Sequence, residues 1–222
     1  MKATVQHISP YRFYWKRKAL RKEMPHFSVR RWWESEDLCD IERVYYSAIK
    51  DASTLLDIGA GDLRIKQKLQ RYGFRGGYHT QDVGDEFEYT YQDLNGIHQR
   101  YDAVLCLDVI EHLPLTAGIE ILHRIESLLR SDGILILQTP NARCIRNQFG
   151  TDMTHVHLYN LPDLWTYLTC LGFSVEGYRV VFSQPGRGPL IRVTDLLKAV
   201  VASKVLGCDY ADNIVLIARK CG

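Results

Sequence analysis

The feature that most constrains the fold is a short apolar run that ends in a glycine-rich turn. Residues 54–58 read Thr-Leu-Leu-Asp-Ile and lead directly into Gly59-Ala60-Gly61. A brief apolar run bounded by glycines is typical of a strand that is buried on both faces of a sheet. Residues 62–72 follow with apolar side chains at helical spacing. A strand, a tight turn and a helix in this order predict a parallel α/β sheet, with the turn at the carboxyl end of the strand.

The remaining sequence repeats this alternation. Further strands are predicted at residues 76–82, 88–92, 103–107, 134–138, 173–182 and 213–218, and further helices at residues 36–50, 116–130 and 162–171. The pattern predicts an α/β fold, a Rossmann-like, doubly wound and mostly parallel sheet with helices on both faces. The last two strands flank a long connection, which predicts an antiparallel pair at one edge of the sheet.

Charge divides the chain into two parts. Residues 1–31 contain nine Lys or Arg residues and one acidic residue, Glu23, whereas the net charge of the whole chain is only +2. Aromatic residues, Phe13, Tyr14 and Trp15 among them, are interleaved with the basic ones. We expect residues 1–50 to form a basic, aromatic, helical arm or lid, which could also bind phosphates of nucleic acid. Residues 51–222 then form the main domain, with a substrate-specific insertion at about 183–212.

The cysteines and the apolar runs indicate the cellular compartment in which the protein is expected. The six cysteines form no C-x-x-C pair, which favours a reducing environment without a disulfide framework. No apolar run reaches the roughly 18 residues that span a bilayer. Residues 1–10 lack the apolar core of a signal peptide. We therefore expect a cytoplasmic protein with no transmembrane segment.

Acidic residues lie at the ends of the first three strands of the domain. Asp57 precedes the glycines, where its carboxylate suits a ligand with a cationic amine better than a diphosphate. The dinucleotide-binding pattern G-x-G-x-x-G is also not met, because position 64 is Arg64 rather than glycine. Asp82, at the tip of the second strand, could accept both hydroxyls of a ribose. Asp93 could accept an adenine amine. Alternatively, these residues could belong to a tight turn, a surface loop and a turn cap, respectively.

The acids and glycines together resemble the class I S-adenosylmethionine-dependent methyltransferases. The resemblance covers about residues 50–182 and returns at 213–219. It is carried by residues 55–62 (Leu-Leu-Asp-Ile-Gly-Ala-Gly-Asp), residues 101–114 (Tyr-Asp-Ala-Val-Leu-Cys-Leu-Asp-Val-Ile-Glu-His-Leu-Pro) and residues 133–141 (Gly-Ile-Leu-Ile-Leu-Gln-Thr-Pro-Asn). It implies a methyltransferase domain whose seven-stranded sheet has a reversed last strand.

The resemblance also implies where S-adenosylmethionine binds and where S-adenosylhomocysteine is left as product. By this resemblance, Gly59 and Gly61 contact the methionine part of the cofactor, and Asp57 lies beside it. Asp82 binds the ribose, and Asp93 and Leu94 bind the adenine. Leu107 and Asp108 line the pocket near the transferred methyl group.

Within this family, residues 109–113, 139–141 and 152–159 resemble the branch that methylates small molecules, including quinone and polysaccharide precursors. We therefore expect transfer to an oxygen of a small molecule or of a sugar or glycan intermediate. An alcohol nucleophile benefits from a base with a pKa near neutrality, and histidine suits this role best. His155 and His157 follow the fifth strand and are the candidate bases. Either could instead hydrogen-bond the loop backbone or help to close the cofactor site.

A metal site is an alternative that the sequence raises. Asp108, Glu111 and His112, with His155 or His157, could supply carboxylate and imidazole ligands. The small-RNA 2′-O-methyltransferases are similar, with a metal-binding E-x-x-E-H and a later histidine pair. Here the first acid is aspartate and the later pair is spaced His-x-His, so we expect no metal ligand. A metal-assisted RNA 2′-O-methyltransferase and a non-catalytic module that binds S-adenosylmethionine remain alternatives.

Overall fold

The computed structural model describes residues 10–145, 152–183 and 208–221, together with the single positions 194, 197 and 201. Most of the insertion predicted at 183–212 therefore lies outside the described residues. The helices are α1 (Pro10–Leu20), α2 (Asp40–Ile49), α3 (Arg64–Tyr72), α4 (Leu115–Leu128) and α5 (Leu161–Cys170). The strands are β1 (Ser28–Trp32), β2 (Thr54–Ile58), β3 (Gly77–Gln81), β4 (Tyr101–Leu107), β5 (Leu129–Pro140), β6 (Phe173–Phe182) and β7 (Asn213–Lys220). Among the described residues, no helix is both long and apolar enough to cross a membrane.

The strands form one seven-stranded sheet in the order β1-β6-β7-β5-β4-β2-β3. Strand β7 runs antiparallel to β5 and β6, and every other pairing is parallel. The predicted fold class, a Rossmann-like sheet with one reversed strand, is confirmed. Because β3, β2, β4 and β5 are parallel neighbours, their carboxyl ends lie along the same edge of the sheet.

Two apolar cores cover the two faces of the sheet. Alternate residues of a strand point to opposite faces, so Leu55 packs with one core and Leu56 with the other. Helices α2 and α3 cover the Leu55 face, through residues such as Ile41 and Leu69. Helices α4 and α5 cover the Leu56 face. Burial on both faces explains why the central strands are nearly continuous apolar runs.

The prediction of a strand at residues 88–92 is wrong. This segment makes only an isolated parallel bridge between Tyr91 and Gln81. The hydroxyls of Thr80 and Thr90 accept hydrogen bonds from each other's backbone N–H, both at 3.1 Å. These side chains replace the ladder that a full strand would form. The segment is also largely exposed, so little apolar burial stabilises an extended pairing.

The predicted arm supplies the seventh strand instead. Strand β1 pairs in parallel with β6, from Ser28 opposite Tyr178 to Trp32 opposite Phe182. The rings of Trp32 and Phe182 lie 4.9 Å apart, and the Ser183 N–H donates to the Trp32 carbonyl at 2.7 Å. The sequence predicted the antiparallel pair β6–β7 at the edge of the sheet. That placement is wrong, because β1 pairs with β6 and forms the edge itself. Helix α1 packs against α5.

A buried ion pair joins α2 to α3, the helix that follows the glycine-rich turn. The Lys68 Nζ lies 2.9 Å from Glu42 Oε1 and 3.0 Å from Oε2. Their side chains are only 2% and 7% exposed. Glu42 Oε2 also accepts from the Cys39 N–H at 2.8 Å. Because both charges are removed from water, replacing one partner would leave the other charge buried and uncompensated.

We expect Glu42→Gln to lower the free energy of unfolding by about 3 kcal/mol or more, because the Lys68 ammonium is then buried without a counter-charge. Urea denaturation measures this difference. The matched control is Glu36→Gln, which removes an exposed partner of Arg71 at 3.4 Å and should cost less than about 1 kcal/mol. Equal effects of the two substitutions would contradict the prediction.

Candidate functional site

The turn after β2 is built from two glycines in left-handed backbone. Gly59 has φ +69° and Gly61 has φ +46°. A Cβ added at Gly59 would collide with the Val109 side chain, whereas at Gly61 its nearest neighbour would be the Gly59 carbonyl oxygen, 4.0 Å away. The N–H groups of Gly59 and Ala60 both donate to the Gln81 carbonyl, at 2.8 and 3.1 Å. The turn is therefore fixed against the end of β3, with Gly61 at its open side.

Asp57 lies at the base of this turn and is almost fully buried, with 1% of its surface exposed. Its Oδ2 accepts a hydrogen bond from the Tyr78 hydroxyl at 2.7 Å. Burial raises the pKa of Asp57 to about 7, although the Tyr78 hydrogen bond acts in the opposite direction. Tyr78 was not singled out in the sequence, because a tyrosine in a strand normally signals only packing. A cationic ligand beside this carboxyl group would favour its ionised form.

Asp82 follows β3 and binds the glycine turn. Its Oδ2 accepts from the Gly61 N–H at 2.8 Å, and its Oδ1 accepts from the Gly84 N–H at 3.1 Å. The Tyr89 hydroxyl donates to the Gly61 carbonyl at 2.8 Å. The structure therefore brings Asp82 together with the turn, as its position at a strand end predicts. Each carboxylate oxygen keeps a lone pair for a further donor.

Asp93 and Leu94 lie beside a cavity of about 710 Å³ between the end of β3 and helix α4. The cavity lining also includes Gln81, Leu113 and Ile121. Asp93 Oδ1 accepts from the backbone and the side-chain amide of Asn95, both at 3.0 Å, so it caps the short 3₁₀ turn 94–96. The turn-cap alternative thus describes its local role, while the cavity beside it remains open to a ligand.

Leu107 ends β4, and Asp108 follows it with φ +53°. The Asp108 carboxylate accepts hydrogen bonds from two amides, Gln138 Nε2 and Asn213 Nδ2, the second at 3.0 Å. The Tyr45 hydroxyl donates to Gln138 Oε1 at 2.6 Å, which fixes the amide orientation. These supporting residues were not predicted from the sequence. The only signal was that Gln138 and Asn213 are polar residues at the ends of apolar strands.

The two candidate histidines lie in a segment that is bound to the 3₁₀ turn 110–112. The N–H groups of Val156 and His157 donate to the Glu111 carbonyl, at 2.7 and 3.0 Å. Each imidazole packs on a different ring. His155 lies 5.1 Å from His112, and His157 lies 4.7 Å from Tyr159, measured between ring centroids. Burial lowers the pKa of His157, which keeps its imidazole neutral near pH 7.

Glu111 is the most deeply buried acid near these histidines, with no exposed surface. Its Oε2 accepts from the Thr139 hydroxyl at 2.9 Å. Burial, followed by the nearby Asp108 carboxylate, raises the pKa of Glu111 to about 8. Glu111, His112 and His155 each place one potential ligand atom within 4.8 Å of the others. The site therefore holds a second polar cluster beside the glycine turn.

We expect Asp57 to make the stability of the fold depend on pH. The folded state holds a proton on Asp57 up to about pH 7, whereas the unfolded state releases it near pH 3.8. The free energy of unfolding should therefore fall between about pH 4 and 7 by an amount on the order of 4 kcal/mol. Urea denaturation of the wild type and Asp57→Asn, each from pH 4 to 8, isolates this contribution. Parallel pH profiles would contradict the assignment.

Comparison with known proteins identifies the family. A sequence model described as a methyltransferase domain matches residues 35–177. No curated protein matches the chain in sequence. Many solved structures share the fold, and among them are several methyltransferases. A SAM-dependent methyltransferase from Archaeoglobus fulgidus is 19% identical, with TM-score 0.62, over 80% of this chain and 90% of that chain.

Two further methyltransferases have lower scores. Magnesium protoporphyrin IX methyltransferase from Synechocystis, solved with bound SAM, is 17% identical with TM-score 0.53 and covers 81% of this chain and 77% of that one. The 1,6-didemethyltoxoflavin-N1-methyltransferase from Burkholderia thailandensis is 16% identical with TM-score 0.54, over 82% of this chain and 76% of that chain. At such identities the structures show the shared fold, and the sequence match shows the family. With the seven-stranded sheet and the glycine turn, the chain therefore belongs to the methyltransferase-domain family, as a class I S-adenosylmethionine-dependent methyltransferase.

Proposed function

We propose that this enzyme methylates an oxygen atom of a small molecule or of a sugar or glycan intermediate. The observation that carries the proposal is the half-buried His157, which lies at the carboxyl end of the sheet. A neutral amine attacks a sulfonium methyl group without help, whereas a hydroxyl group must lose a proton. A half-buried imidazole with a lowered pKa is suited to accept that proton near neutral pH.

In this proposal, the described residues bind the cofactor along its whole length. The carboxyl group of Asp57 and the open side of Gly61 suit the methionine part, whose amino group is cationic. The carboxylate of Asp82 suits the two ribose hydroxyls. The cavity beside Asp93 and Leu94 suits the adenine. Leu107 and Asp108 then lie near the transferred methyl group, next to the segment that carries His157.

The cofactor supplies an electrophilic methyl group on a sulfonium. The enzyme then has to align the acceptor oxygen in line with that methyl group and exclude water. In our proposal His157 takes the hydroxyl proton as the oxygen attacks, and S-adenosylhomocysteine leaves. Asp108 is fixed by Gln138 and Asn213, so it holds its part of the pocket in place during this step.

The fold alone does not select the acceptor atom. The similar structures include an N1-methyltransferase, a carbon methyltransferase and a member of an O-methyltransferase family. The fold therefore serves several acceptor atoms in those proteins. For this chain, the choice of oxygen depends on the histidine base.

We further propose that residues 10–20, helix α1, act as a lid on the acceptor side. Helix α1 packs on α5 through an ion pair between Arg17 and Asp163 at 2.8 Å. The rings of Phe13 and Tyr167 lie 6.1 Å apart. Both contacts attach the basic arm to the helix that follows the histidine segment. An arm in this position would cover a small acceptor once it has bound.

A second candidate function is methylation of an RNA ribose. One observation favours it: Tyr14 and Trp15 on α1 are about half exposed, and the Lys18 ammonium lies 5.1 Å from the Trp15 ring. Exposed aromatic rings beside basic groups suit single-stranded nucleic acid. Methyl transfer to a panel of sugars and phenols, compared with transfer to RNA oligonucleotides, tests both candidates. Turnover on RNA alone would replace our first proposal.

We expect Asp82→Ala to weaken binding of S-adenosylhomocysteine by about 1–3 kcal/mol, because the ribose hydroxyls lose a charged acceptor. Isothermal titration calorimetry measures the change. Asp85→Ala removes an exposed acid from the same loop and serves as the matched control. Unchanged affinity in Asp82→Ala would remove the ribose assignment, provided that circular dichroism shows a folded protein.

We expect His157→Ala to lower kcat by about 10²-fold at constant cofactor affinity, because the general base is lost. The wild-type rate should fall at a pH below the ordinary histidine range, since burial lowers the pKa of His157. The control is His98→Ala, an exposed histidine away from the segment. If kcat falls only two- to threefold in His157→Ala, then His157 is not the base; either His155 is the base or the reaction uses none.

A further inference from the structure

The spacing of the histidines predicted no metal ligand, but the fold brings three potential ligands together. We propose that Glu111, His112 and His155 bind a divalent transition-metal cation at the carboxyl end of β4. Each residue contributes one potential ligand atom, and these atoms lie within 4.8 Å of one another. Ligand atoms about 2.1 Å from a shared ion lie about 3–4 Å apart, so modest side-chain movement closes the site. The proposal goes beyond methyl transfer and rests on the proposed function only for the role of the ion.

The first independent observation is an unsatisfied carboxylate oxygen. Glu111 has no exposed surface, and its Oε1 has no hydrogen-bond partner among the described residues. Its other oxygen accepts from the Thr139 hydroxyl, which fixes the carboxyl group in place. A buried acceptor without a donor costs about 1–3 kcal/mol, so such groups are uncommon unless something else binds them. A cation between the carboxylate and the imidazoles supplies the missing partner.

The second observation is the tautomer of His112. The Thr154 hydroxyl donates its single proton to Asp152 Oδ1 at 2.6 Å. It can therefore only accept at its contact with His112 Nδ1, which is 2.9 Å away. The proton of neutral His112 then lies on Nδ1, and the lone pair of Nε2 is left for a ligand. Metal-binding histidines are generally oriented by such a hydrogen bond at the other ring nitrogen.

Nearby charge also favours a cation. His155, whose side chain is 8% exposed, has its Nε2 4.0 Å from Asp152 Oδ2. Asp108 and Asp152 both interact electrostatically with the two imidazoles, so carboxylates surround the cluster. The backbone bonds from residues 156 and 157 to the Glu111 carbonyl hold the histidine segment against the turn. The relative positions of the three ligands are thus determined by the fold.

Two imidazole nitrogens and one carboxylate oxygen suit Zn²⁺, Mn²⁺, Fe²⁺ or Co²⁺ better than Mg²⁺ or Ca²⁺, which prefer oxygen ligands. Three protein ligands leave coordination positions open for water or for another oxygen. The site follows the strand that ends at Leu107, next to the proposed methyl-transfer position. A cation held there would bind an acceptor oxygen and lower the pKa of its hydroxyl group.

Metal binding can be measured without any acceptor. Untagged protein is treated with EDTA, dialysed and titrated with Zn²⁺, Mn²⁺, Co²⁺ and Mg²⁺, each as the sole cation. We expect one Zn²⁺ or Co²⁺ per chain, an increase in the melting temperature and a Co²⁺ absorption spectrum typical of nitrogen ligation. Mg²⁺ should bind more weakly than Zn²⁺.

Variants then locate the site. Glu111→Gln and His155→Asn should each weaken Zn²⁺ binding at least about 10-fold, and Thr154→Val, which frees the His112 tautomer, about 10-fold. His98→Asn is the control and should bind as the wild type does. Circular dichroism checks that each variant is folded, and His155→Asn keeps the test decisive if the buried Glu111→Gln does not fold.

Two results would overturn the proposal: absence of stoichiometric binding to folded wild-type protein, or binding that none of the three variants weakens. Either result leaves methyl transfer intact, because S-adenosylhomocysteine binding and turnover are measured separately. Conversely, metal binding without turnover on any oxygen acceptor would contradict the proposed function and keep the metal site.

Discussion

The parallel pairing of β3, β2, β4 and β5 is the constraint on which the rest of the site depends. Parallel neighbours end at the same edge of the sheet, so the loops that follow them meet there. Asp82, the glycine turn and Asp108 come from three different loops and lie along this one edge. The buried ion pair between Glu42 and Lys68 fixes the helix that follows the turn. The core thus positions the polar groups at this edge of the sheet.

Burial dominates the chemistry of the acids at this edge. The pKa of Asp57 is raised to about 7 and that of Glu111 to about 8, in both cases chiefly because the charged form loses its hydration. A cationic ligand would reverse this preference at either residue. Both of our proposals place positive charge beside one of these acids: the amino group of the cofactor near Asp57, and a metal ion near Glu111.

The sequence predicted the central strands because their apolar runs are almost independent of context. It failed where a strand depends on its partner. Residues 88–92 carry a strand-like pattern, yet the Thr80 and Thr90 hydroxyls satisfy the backbone and the ladder does not extend. Strand β1 contains Arg30 and Arg31 and has no strong strand pattern. It forms because the open edge of β6 accepts it and Trp32 packs on Phe182.

By itself, the sequence determined the α/β class, the glycine turn and the family resemblance, because short, contiguous patterns carry each of them. The reversed strand was predicted from the long connection between the last two strands and from the resemblance. The acids at the strand ends could also be named, since strand ends of a parallel sheet must converge. Only the tertiary structure decided which of these groups touch and how they are protonated. The Tyr78 hydroxyl on Asp57, the amides on Asp108 and the Thr154 contact that sets the His112 tautomer join residues 21 to 105 positions apart. Such contacts arise from packing, and no local pattern encodes them.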